Sequence, residues 1–133
     1  MDLTNKLYKV FLIAGSEPLG TAGMQADIKS ISACGGYAAG AITCIVDEDT
    51  IKVKSIQTIP VEMVVSQTYS FLEDVGADCI KTGMLYSQEL VTAIGDVVKK
   101  QSIPIVVDPV MVSSAGDKLL QDDAIQALSL IHI

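Results

Sequence analysis

The sequence predicts an α/β protein: one domain built on a parallel sheet, with helices packed against it. Three observations point there. Short apolar runs alternate with segments whose apolar residues recur at about the 3.6-residue period of a helix. Glycine or proline stands at most of the junctions between them. The chain has 133 residues, 50% of them hydrophobic, which is enough for a single sizeable core. Strand, helix, strand in this order implies parallel strands joined by right-handed crossovers.

The elements follow in turn. "YKVFLIAG" is a continuous apolar run and reads as a buried strand, and "AGMQADIKSISACGG" reads as a helix ended by Gly35 and Gly36. "YAAGAITCIV" is the next strand. "DEDTIKVKSIQTIP" is a polar turn leading into an alternating, exposed strand. Pro60 opens a helix over "VEMVVSQTYSFLEDVG", with Val61, Val64, Val65, Leu72 and Val75 on one face and Gly76 at its close. "DCIKTGM" is a short strand. "SQELVTAIGDVVKKQ" has the clearest period, with Leu90, Val91, Ile94, Val97 and Val98 on one face of a surface helix, Ser87 as N-cap and two lysines in its last turn. "IPIVVDPVM" is a β-rich run broken by Pro109, "VSSAGDKLL" a loop, and "QDDAIQALSL" the start of a helix. The closing "IHI" reads as the opening of a further buried strand, so that the sheet is expected to be incomplete at its carboxyl end.

Charge and composition exclude several classes. Nine basic against sixteen acidic residues leave a net charge of -7, which repels nucleic acid and anionic membranes. No stretch approaches the ~20 apolar residues needed to span a bilayer. The amino-terminal apolar run is too short for a secretory core, carries an early Asp2 and is followed by no small-residue cleavage site. Cys34, Cys44 and Cys79 lack CxxC spacing and read as buried free thiols in a reducing compartment. A soluble, cytoplasmic protein is expected. The one histidine, His132, has no partner in the sequence, so neither a Ser-His-Asp nor a Cys-His constellation can be built.

Chemistry is then sought at the carboxyl ends of the strands, where an open parallel sheet collects its ligands. Four loops lie there: "GSEPLGTAG", "DEDT", "TGMLYS" and "DPVMVSSAGDK". Gly15 and Gly20 have the four-residue gap of a P-loop, but Thr21 and Ala22 stand where Lys and Ser or Thr are needed, which argues against that motif. The glycines still imply close approach of backbone to a ligand or a neighbouring strand. Asp108, at a strand exit before Pro109, suits a cation, a Mg²⁺-bound phosphate or a helix N-terminus. An acidic pair after the first strand, as a phosphoacceptor aspartate would require, is missing. Met84 suits a lid over a flat ring or core filling, and Glu48 and Asp49 suit a solvated acidic turn.

The combination "IAGSEPLGTAGMQADIKSISACGGYAAGAIT", "KTGML" and "VVDPVMVSSAGDKLL" resembles the hydroxymethylpyrimidine and phosphomethylpyrimidine kinases of thiamine biosynthesis, in the ribokinase-like superfamily. The resemblance runs from Val10 to Leu130. It implies a three-layer, Rossmann-like sheet and transfer of the γ-phosphoryl of ATP, with Mg²⁺, to the aminopyrimidine's hydroxymethyl group and then to the monophosphate. Carried over by position, Gly15, Ala22 and Asp27 wall the pyrimidine pocket, Val46 and Glu48 meet the ring, Met84 covers its face, Val110 completes the wall and Asp108 lies near metal and phosphates. The first loop would thus hold the acceptor rather than the nucleotide.

Departures from the family pattern matter as well. Glu48, Asp49 and Thr50 replace Gln-Asn-Thr, and an ionised carboxylate only accepts where an amide both accepts and donates. Glu17, Leu19 and Thr21 replace Asp, Ser and Gly, which crowds the acceptor. The family's Asn-and-Glu segment and its "GTGC" loop, which carries the proposed catalytic base, are not in these 133 residues. The expectation is therefore an acceptor-binding, amino-terminal part of one kinase domain, inactive as it stands, because phosphoryl transfer rests on charge neutralisation around the phosphates. Two alternatives are a pyridoxine or pyridoxal kinase fragment, which Glu48 keeps open, and a non-catalytic pyrimidine-binding module. An unpaired sheet edge invites pairing with a second copy, so a homodimer is a further expectation.

Overall fold

The computed structural model describes residues 6–131. Five strands and four helices follow in the order β1 (Lys9–Ser16), α1 (Gly23–Ala33), β2 (Tyr37–Glu48), β3 (Val53–Thr58), α2 (Val61–Asp74), β4 (Cys79–Thr82), α3 (Gln88–Val98), β5 (Ile105–Val107) and α4 (Asp122–Ile131). The sheet order is β3-β2-β1-β4-β5. β1 pairs in parallel with β2 and β4, and β4 in parallel with β5.

The most buried strand shows how the layers form. Successive side chains of β1 point to opposite faces. Phe11 and Ile13 enter a core with Val64 of α2, Leu90, Val91 and Ile94 of α3, and Ala124 and Leu128 of α4. Leu12 and Ala14 enter a second core with Met24 of α1. A three-layer sandwich results, and it needs β1 to be apolar on both faces from Val10 to Ala14. Phe71 of α2 stacks on Phe11 with ring centroids 4.7 Å apart.

The structure corrects the sequence reading in detail. β3 follows β2 through the expected polar turn but runs antiparallel to it at the sheet edge, so the sheet is mixed where a parallel one is expected. Val75 is exposed, because α2 ends at Asp74 before that turn completes its apolar face. Lys99 and Lys100 lie just past α3, with Lys99 at its C-cap. Cys34 is exposed at the C-cap of α1, whereas Cys44 is buried and Cys79 half-buried. Ile131 ends α4, where the opening of a strand was expected, and His132 and Ile133 lie outside the described residues. No helix among the described residues is long and apolar enough to cross a membrane.

Candidate functional site

β1, β2, β4 and β5 all point their carboxyl ends at one edge of the sheet, so the loops that follow them meet there. They enclose an open cleft of about 670 Å³. Gly15, Ala22, Asp27, Val46, Glu48, Met84, Asp108 and Val110 all line it. The structure thus gathers every site residue expected from the sequence into one place. Lys81, which the sequence reading passed over, lines it too.

The first loop is ordered around its own acid. Glu17 is 6% exposed, and its two carboxylate oxygens accept hydrogen bonds from the backbone N–H groups of Leu19, Gly20, Thr21 and Ala22 at 2.5, 3.0, 2.6 and 2.8 Å. Burial alone would raise this carboxyl's pKa, but the four amides overcome that and hold it below its ordinary value. Those amides are the donors with which such a loop would cradle a phosphate, and they are already engaged. Gly20 and Gly23 adopt positive φ (66° and 60°), and a Cβ at Gly23 would sit 2.4 Å from the Gly15 carbonyl oxygen. The glycines are needed where chain meets chain.

The floor is apolar. Met84, Cys44, Val46 and Leu119 form a small buried cluster, with Val110 and Tyr86 packed against it. Gly15 leaves room for this cluster, since a Cβ there would lie 3.1 Å from the Cys44 sulfur. The loop after β5 is held across the cleft by Asp117, whose carboxylate accepts the Val53 N–H at 2.9 Å. The Ser113 hydroxyl stabilises the same loop by accepting from Ala115 and Asp117 N–H.

Glu48 and Asp49 differ in kind. Asp49 closes the β2–β3 turn, accepting from Ile51 and Lys52 N–H at 2.9 and 3.0 Å and pairing with Lys54. Glu48 is the last residue of β2, half-buried on the cleft wall and without a hydrogen-bond partner among the described residues. Burial first, then the charges of Glu17, Asp117 and Asp49, push its carboxyl above the ordinary range. Protonated, this carboxyl donates as well as accepts, and ionised it only accepts.

At the other side of the cleft, Lys81 of β4 donates to Asp27 at 2.6 Å and lies 3.5 Å from Asp108. The described residues contain no group of three or more His, Cys, Asp or Glu that could hold a metal ion. With the loop amides engaged by Glu17 and Asp108 beside Lys81, the described residues do not compose a site for Mg²⁺ and a triphosphate.

Residues 17–132 match the protein family described as phosphomethylpyrimidine kinase. A hydroxymethylpyrimidine/phosphomethylpyrimidine kinase of Rhizobium meliloti is 40% identical over 116 residues, covering 87% of this chain and 44% of that protein. The crystal structure of phosphomethylpyrimidine kinase from Clostridium difficile superposes with a TM-score of 0.84 at 35% identity, over 91% of this chain and 53% of that one. The pyridoxal kinase of Staphylococcus aureus, in complex with AMP-PCP and pyridoxal, superposes at 0.73 and 37% identity over 81% and 40%. The chain thus spans about half, or less, of the length of these relatives.

Proposed function

Because the chain belongs to the phosphomethylpyrimidine kinase family of phosphotransferases, we propose that it forms the acceptor side of an ATP-dependent kinase acting on 4-amino-5-hydroxymethyl-2-methylpyrimidine and its monophosphate in thiamine biosynthesis. The convergence of four strand-end loops on a cleft with an apolar floor and polar walls is the observation that carries this reading. In it, a planar heteroaromatic ring rests on Met84 and Val46, between Gly15 and Val110. Glu48 meets the ring edge. Burial and the neighbouring acids raise its pKa, and when it carries its proton it offers a donor beside an acceptor, as an amide does.

ATP supplies the transferred phosphoryl, and Mg²⁺ neutralises its charge. We assign their handling, on the resemblance, to the portion of the relatives that this chain does not span, with Asp108 at the boundary. The proposed location is the cytoplasm, in keeping with an exposed free thiol at Cys34.

Glu48 favours a second reading. A pyridine with a hydroxymethyl substituent is also a flat acceptor, its ring nitrogen is basic, and a carboxylate pairs with a protonated ring nitrogen. Calorimetric titration of the chain with the aminopyrimidine and with pyridoxine, side by side and without ATP, decides between them. Saturable heat with the aminopyrimidine, and weaker or no heat with pyridoxine, is the expected result. The reverse order moves the assignment to a pyridoxine kinase, and no heat with either removes the acceptor reading.

A further inference from the structure

We propose that Lys81 is a positioning residue for the acceptor: its ammonium fixes the Asp27 carboxylate on the cleft wall, with Asp108 of the loop after β5 as a second, looser partner. This rests on the acceptor reading above and adds to it a residue with its own task.

The placement is unusual for a lysine. β4 lies between β1 and β5, and Lys81 is paired in register with Leu12 on one side and Val106 on the other. Its neighbours Ile80 and Thr82 turn into the large core, so Lys81 points to the opposite face, where α1 packs. A lysine on a mid-sheet strand pays for desolvation without adding to packing, and Leu or Val would serve the fold better. Its side chain is 19% exposed and that of Asp27 is 23%. Gly83 next to it relieves the packing on β1, since a Cβ there would stand 3.1 Å from the Ala14 Cβ, while its 3.5 Å to Nζ is an ordinary contact.

The two carboxylates are held unequally. Asp27 Oδ2 accepts a short bond from Nζ, and Oδ1 has no hydrogen bond among the described residues. One oxygen is thus pinned and the other left to accept from an amino or hydroxyl group of a bound heterocycle. Asp108, at 3.5 Å and 50% exposed, is held only loosely. Three segments distant in sequence, α1, β4 and the loop after β5, meet at this single cation. Removing it leaves two acids facing each other with no counter-charge, and Asp27 loses the contact that orients it.

The test uses the full chain and 4-amino-5-hydroxymethyl-2-methylpyrimidine as the probe, titrated by calorimetry into the wild type, Lys81→Met, Lys81→Arg, Asp27→Asn and the Lys81→Met/Asp27→Asn pair, each first shown to melt cooperatively. Lys81→Met is expected to weaken binding about tenfold, the equivalent of about 1.4 kcal/mol. Lys81→Arg, which keeps the charge, stays within about threefold of the wild type. Because both residues act through one contact, the double variant binds no more weakly than the poorer single variant. Multiplying losses in the double variant, or a Lys81→Met chain that melts lower yet binds like the wild type, overturns the proposal and leaves the acceptor reading intact. No heat from the wild type overturns both. If Lys81→Met does not fold, the other two single variants decide: retained binding in Lys81→Arg with loss in Asp27→Asn supports the role, and unchanged binding in Asp27→Asn ends it.

Discussion

Glu17 and Glu48 stand on the same cleft wall and are pushed in opposite directions. Glu17 is ionised by design of its surroundings, since four amides point at it. Glu48 has no such donors and faces three other acids. The sign of each contribution to stability follows. Glu17, with a depressed pKa, stabilises the fold above its ordinary titration range, and that stability is lost as pH falls through its native value. Glu48, with a raised pKa, stabilises the fold below its ordinary range, and that contribution is lost as pH rises through its native value. Scanning calorimetry between about pH 4 and pH 8 should therefore separate two isosteric changes. Glu48→Gln raises the melting temperature at neutral pH, and the gain shrinks toward the acid end. Glu17→Gln lowers it, through a loss of about 1–3 kcal/mol of stability, since an NH₂ group then faces backbone donors, and the deficit narrows in acid. Parallel pH curves for the two variants would refute the assignment. At this scale the sequence names the cleft residues through a resemblance, but Lys81 opens the "KTGML" stretch without a role assigned to it, and the bonding of Glu17 is hidden, because a loop acid looks the same whether it caps amides or faces water. The available hint is an acid followed three residues later by Gly20 in the loop that leads into α1.

At the scale of elements, legibility tracked the strength of the local pattern. α3 was plain in the sequence because six of its eleven residues are buried and they recur on one face. Its N-cap was equally visible, and the Ser87 hydroxyl does accept the Leu90 N–H at 3.3 Å. Ser87→Ala should cost about 1 kcal/mol, measured by urea unfolding, and an unchanged midpoint would mean that this long bond contributes nothing. The direction of β3 was also decidable in principle. Only four residues separate Glu48 from Val53, whereas a parallel connection takes a dozen or more, so a hairpin was the sole geometry open to it. The positive φ of Tyr86 (67°), in the loop that leads into the Ser87 cap, had no signal at all, because the residue type disfavours it.

For the molecule as a whole, strand order explains where the cleft lies. The chain leaves β1 toward β2 on one side and later returns to place β4 on the other, so the loops after β1 and β4 diverge and open a crevice between them. That reversal can be expected from alternating strands and helices, although which strand pairs with which cannot be read without the register. β5 is three residues long, has a strand neighbour on one side only among the described strands, and carries Val106 at 54% exposure. Such an edge recruits another strand. Light scattering under reducing conditions should find dimers or larger species growing with concentration, and a monodisperse monomer would remove the homodimer expectation.

The reductant matters because of Cys34. It ends α1 at the rim opposite the cleft, where the helix that begins beside the ligand-facing loops finishes its run. Burial shields the Cys44 thiol and raises its pKa, and desolvation does the same to the half-buried Cys79. A maleimide dye will therefore react first at Cys34, giving a fluorescent handle or a surface-attachment point at the end of α1 away from the cleft, with no engineered cysteine required.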